Sequence, residues 1–146
     1  MKRFLSVVIA SAIGLAAAMP VHAATATAGF NVTASLTSKC EITVAPTDVA
    51  FTYTSFQTTA ATATGGDFTL RCTTNLPYTL SVSATSGTVI GLTYTLGVSA
   101  AGGTGAGLTT ANYSVTGNMV SGQSGICATT AACTGTNNTH TVVVTY

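Results

Sequence analysis

Charge is almost absent from this chain. Its 146 residues hold four Lys and Arg, three Asp and Glu and two His, and tryptophan does not occur. Beyond residue 23 the charged residues are Lys39 and Arg71 against Glu41, Asp48 and Asp67, a formal −1. This excludes electrostatic capture of nucleic acid or an anionic membrane. It also leaves little repulsion between copies, which suits a protein that packs against itself. His140 is the sole histidine after residue 23, and it is in register with Val142, Val144 and Tyr146, as a half-buried residue at a strand entrance would be. With three scattered acids, no nucleophile–base set and no carboxylate pair can be built, so the chain reads as a non-enzyme without a small-molecule substrate. Glu41 reads as an ion-pair partner of Lys39, and Asp48 as a turn residue capping backbone groups. Glycine-rich Ala101–Gly107 lacks a following helix and a lysine, so it reads as a surface loop and not a phosphate cradle. No cofactor is expected.

Helical periodicity is missing as well. Threonine is abundant, 31 of 146 residues and all after residue 23. A β-branched side chain favours strands, and with the many glycines it predicts an all-β domain rich in turns. Strands are expected at 24–37, 40–44, 49–54, 66–73, 77–84, 88–98, 109–116 and 139–146. Alternation places Phe68, Leu70 and Cys72 on one face, and Tyr78, Leu80, Val82 and Ala84 on another. Pro46, Gly65-Gly66, Asn75 with Pro77, and Ser86-Gly87 mark turns. Short strands at this spacing imply a β-sandwich of immunoglobulin-like character.

Residues 1–23 read as a secretory signal peptide. Lys2 and Arg3 open it, Phe4–Met19 supply the apolar stretch, and cleavage is expected between Ala23 and Ala24. The remaining 24–146 form one domain. All four cysteines, Cys40, Cys72, Cys127 and Cys133, lie in the exported part, where an even number reads as disulfides. Three pairings are possible. Cys40–Cys72, joining two strand segments, and Cys127–Cys133, closing a small loop, are preferred. A zinc site would need tighter Cys/His pairs than these.

Both ends of the exported chain carry strand patterns. Ala24, Ala26, Ala28, Phe30, Val32, Ala34 and Leu36 alternate with polar or small residues, the period of a strand with one buried face. The last residues, Thr139–Tyr146, predict a strand that directs Val142, Val144 and Tyr146 to the core and turns Val143 away.

The ordered set of segments resembles a known family. It runs from the alternating arm and Cys40 to Gly66-Asp67-Phe68-Thr69-Leu70-Arg71-Cys72 and Leu76-Pro77-Tyr78-Thr79-Leu80-Ser81-Val82. Tyr113–Met119, Gly122-Gln123-Ser124-Gly125 and the closing Thr-Val-Val-Val-Thr-Tyr complete it. This is similar to the spore coat protein U domain family, which includes major subunits of archaic (Csu-type) chaperone–usher pili. The resemblance spans nearly all of the exported chain, with Thr139-His140 in place of the acidic residue frequent before the final strand.

The resemblance implies a pilin with an incomplete immunoglobulin-like β-sandwich completed by donor-strand exchange. A periplasmic chaperone would hold the C-terminal strand at Val142, Val144 and Tyr146. An outer-membrane usher would pass the subunit into a homopolymer at the cell surface, a fimbrium for adhesion and biofilm formation. The donor strand would be Ala26, Ala28, Phe30 and Val32, within an arm of residues 24–36. The family's paired cysteines correspond to Cys40 and Cys72. Two other classes fit less of the chain. An outer-membrane β-barrel wants longer strands and aromatic girdles. A monomeric secreted coat or carbohydrate-binding module would use Tyr53, Tyr78, Tyr94 and Tyr113 to stack on sugars.

Overall fold

Alternating apolar residues need a face to cover, and this requirement decides where the strands pair. The structure, a computed structural model, describes residues 24–146; the expected signal peptide, 1–23, with Ala23 of the cleavage site, lies outside the described residues. Two units divide between Ala34 and Ser35. In the first, described residues 24–34 are exposed and form no strand, and the same holds through Lys39 in the second. The strand expected at 24–37 is therefore not formed among the described residues.

The second unit is all-β among the described residues. Its strands are β1 (Cys40–Val44), β2 (Val49–Ala50), β3 (Ala61–Thr62), β4 (Thr64–Gly65), β5 (Asp67–Cys72) and β6 (Pro77–Val82). They continue as β7 (Ser86–Val89), β8 (Leu92–Val98), β9 (Gly102–Thr104), β10 (Ala111–Met119) and β11 (Val142–Thr145). A six-stranded sheet has the order β1-β5-β10-β8-β7, with β3 also on β10. A three-stranded sheet has the order β11-β6-β9, and β2 pairs with β4. Every described pairing is antiparallel.

The two larger sheets share one core. Phe68, Leu70 and Cys72 of β5 and Val115 of β10 meet Tyr78, Leu80 and Val82 of β6. The faces expected from alternation are these faces, except at Ala84, which lies past the end of β6 and is exposed. A second cluster, Leu92, Tyr94 and Met119, is covered by Phe51 and Tyr53. Gly117 makes room for this cover, since a Cβ there would stand 2.6 Å from the Phe51 ring.

Further expectations change, and the strand expected at 49–54 shortens to β2, Val49–Ala50. The strand expected at 88–98 is a hairpin, β7 and β8, turning at Ile90 (φ 43°) and Gly91 (φ 71°). Two residues of positive φ make the turn that matches strand twist, but a β-branched residue in its first place carries no sequence signal. Ala101–Gly107, expected as a loop, contains β9, which pairs with β6 at Tyr78↔Gly103. Here glycine permits close approach: a Cβ at Gly102 would fall 2.2 Å from the Tyr78 carbonyl oxygen. The capping role expected of Asp48 falls to Thr47, whose Oγ1 accepts from the Asp67 N–H at 3.0 Å.

Candidate functional site

The C-terminal strand has one neighbour. β11 pairs with β6 in the register Val142↔Val82, Val143↔Ser81, Val144↔Leu80 and Thr145↔Thr79, and no described strand takes its other edge. The hydrogen-bond phase shows which groups that edge offers. The Ser83 N–H donates to the Thr141 carbonyl at 2.9 Å, so Val143 and Thr145 continue the bonded pairs with β6. The N–H and C=O of Val142 and Val144 consequently point outward. The opposite face of β6 agrees, since the Leu80 N–H donates away from β11 to Ala101 at 2.8 Å.

Side chains along this edge are incompletely covered. Val142 and Val144 are half-buried and pack on the main core, as does Cys40 of β1. β1 is itself an edge strand, paired only with β5 among the described residues. Ile42, two residues beyond Cys40, is exposed. Two open edges, β1 and β11, thus border one apolar core. An unpaired edge over apolar surface is a template for another strand.

Tyr146 departs from its expected place. It follows the last paired residue, Thr145, and its ring is exposed instead of core-facing. Val143 is exposed, as expected. The strand is shorter than the expected 139–146 because Thr139 and His140 serve other partners. His140 Nδ1 lies 3.1 Å from the Ala84 carbonyl oxygen, which can only accept, so this nitrogen donates. Nε2 shares a 2.7 Å hydrogen bond with the Tyr94 hydroxyl. His140 anchors the strand entrance to the second core cluster.

The arm carries exposed apolar residues of its own. Ala26, Ala28, Phe30 and Val32 are all exposed, with Phe30 at 86% and Val32 at 82%. Water around Phe and Val at alternate positions is an unfavourable arrangement that burial in a sheet would relieve.

Both disulfides are formed. Cys40–Cys72 ties β1 to β5, and Cys127–Cys133 closes a loop within the segment joining β10 to β11. All four sulfurs are thereby committed. On the outer face Glu41 bonds both Lys39 and Arg71, which hold its carboxyl below the usual carboxylate range, Lys39 contributing most.

Tyrosine hydroxyls are paired inside the fold. Tyr78 and Tyr113 share a 2.7 Å hydrogen bond. Burial first, then the Tyr113 bond, pushes the Tyr78 phenol from 10.0 up to about 12. A group whose folded pKa is raised stabilises the fold fully below its unfolded pKa, and that stability is lost as pH rises through the folded one. Folding stability is therefore expected to fall from near pH 10 to about 12. Denaturant midpoints tracked with phenolate absorbance will check this, and Tyr78→Phe should flatten the fall.

Comparison with models of protein families, with curated proteins and with solved structures gives no match. Alternation in the sequence indicated the arm and β11, but not the open edge. Only the pairing pattern reveals that Val142 and Val144 direct their backbone groups outward.

Proposed function

We propose that this protein is an exported, non-catalytic structural subunit, and that copies join when the arm of one becomes the missing edge strand of the next. The open edge of β11 above half-buried Val142 and Val144 is the observation that carries the reading. The arm residues Ala26, Ala28, Phe30 and Val32 form the inserted face, with Ala34–Cys40 staying in the home domain. Before assembly the same edge is held by a periplasmic chaperone and handed to an outer-membrane usher. The product is a homopolymeric fimbrium at the cell surface, serving attachment and biofilm formation.

The fold belongs, on this reading, with the incomplete immunoglobulin-like sandwiches of the spore coat protein U domain pilins. Support comes from the bridge between β1 and β5, the two sheets around one core, and the placement of β11 at the rim of the smaller sheet. A sugar-stacking module is less well supported. Tyr78 and Tyr94 are buried, and Tyr53 and Tyr113 are half-buried with hydroxyls engaged inside the fold.

The test exploits the hydrogen-bond phase. The Val144 N–H faces away from β6, so Val144→Pro removes an outward donor while sparing the β6 ladder. The substituted domain is expected to remain folded, with unchanged backbone amide shifts in β6. A synthetic peptide of residues 24–36 should bind an arm-deleted domain and fail to bind its Val144→Pro variant. Phe30→Ser in the peptide should weaken binding about 10- to 100-fold, the equivalent of losing ~1.5–3 kcal/mol of apolar burial. Equal binding by both domains, or indifference to Phe30, overturns the reading.

A further inference from the structure

Several exposed apolar side chains lie away from the open edge. Phe56, Val120 and Ile126 lie on segments that hydrogen bonds tie together and to the β7–β8 hairpin turn. The Phe56 N–H donates to Gln123 at 2.8 Å, and the Ile126 N–H donates to Ile90 at 2.7 Å. Gln123 fixes the segment between them, its side chain bonding Thr93 and Val120. Phe56 is held at φ 64°, a conformation bulky residues rarely adopt, with its ring in solvent. Ile126 is 73% exposed. Leu108, 89% exposed, stands at the opposite end, beside Gly107, whose N–H donates to Cys72.

Polymerisation as proposed above decides which ends meet. Every described pairing in this fold is antiparallel. An arm entering beside β11 in the same sense runs opposite to it, so Val32 comes to rest near Val142, at the His140 end of the acceptor. That end leads to the hairpin turn: Asn137 bonds Thr88, and Gly135 lies against Ile90. Seven residues, Thr33–Lys39, then separate the arm from the donor's own Cys40. From Val32 to Cys40 the chain then spans at most about 29 Å when extended. The Cys40 end of the donor therefore stays within that reach of the His140 end of the acceptor, on the side that leads to the hairpin turn.

We infer that consecutive copies make a second contact, in which Phe56 and Ile126 of the acceptor pack against the Leu108 end of the donor. This rests on the proposed arm exchange. The short tether brings the two apolar ends together, and their contact restrains bending between subunits that the arm alone would leave free. The second copy is the occupant because the tether delivers it there.

The test uses the full chain assembled into fibres, with a photoreactive benzophenone side chain introduced at Ile126. Irradiation is expected to give a dimer-sized adduct whose cross-link maps to the donor segment around Leu108. Ile126→Asp and Leu108→Asp, both at exposed positions, should leave fibres forming while their persistence length falls several-fold in electron micrographs. Fibres that form but give no adduct there, or Asp variants as stiff as wild type, overturn the end contact and leave the arm exchange standing. A chain that forms no fibres at all overturns both.

Discussion

Deleting Ala24–Phe30 will abolish polymerisation and leave a folded domain. None of the deleted residues belongs to a strand or to either core cluster, and all are exposed in the single copy. Their removal should change domain stability by less than ~1 kcal/mol, as expected for surface changes away from packed features. The loss in assembly should be complete. The deletion takes Phe30, the largest apolar side chain of the arm, together with the backbone of more than half the pairing segment. Exported protein would be compared by denaturant melting, by size-exclusion chromatography and by electron microscopy. An unfolded deletion variant would place the arm inside the home domain. Fibres as abundant as wild type would remove it from the joint.

Joint replacement Cys40→Ser with Cys72→Ser is expected to cost about 4 kcal/mol of stability, against about 2 kcal/mol for Cys127→Ser with Cys133→Ser. The sequence separations are 32 and 6, and the entropy that a cross-link removes from the unfolded chain grows with loop length. Position adds to the difference. Cys72 is buried in the main core, whereas Cys127 is exposed. Cys40–Cys72 also fastens β1, whose only described strand neighbour is β5. Releasing β1 would uncover the core on the side where β11 is already open. For a domain whose whole stability is roughly 5–15 kcal/mol, the first loss is severe and the second tolerable. Urea midpoints of the two double variants will decide it. Equal shifts, or a larger shift for Cys127 and Cys133, would refute the assignment of the main staple to Cys40–Cys72.

Residue pattern alone determined much of this protein. Threonine content and two-residue alternation specify an all-β chain, because neither provides a helix with an apolar stripe. Phe68, Leu70 and Cys72, with Tyr78, Leu80 and Val82, could be read as core faces since each strand is long enough for its period to show. The cysteine pairing was legible from separation and strand context. Tertiary structure decided the rest. Ile90 takes the first place of a hairpin turn where Asn, Asp or Gly is usual, and β9 is built largely from glycines that carry no apolar signal. Tyr146 shares the parity of Val142 and Val144, yet it is exposed because pairing with β6 ends at Thr145. The arm and β11 carry the same alternating code, but one is paired in the single copy and the other is not. Alternation states that a strand has a face to bury; only the placement of neighbouring strands determines whether that face and its backbone edge already have a partner.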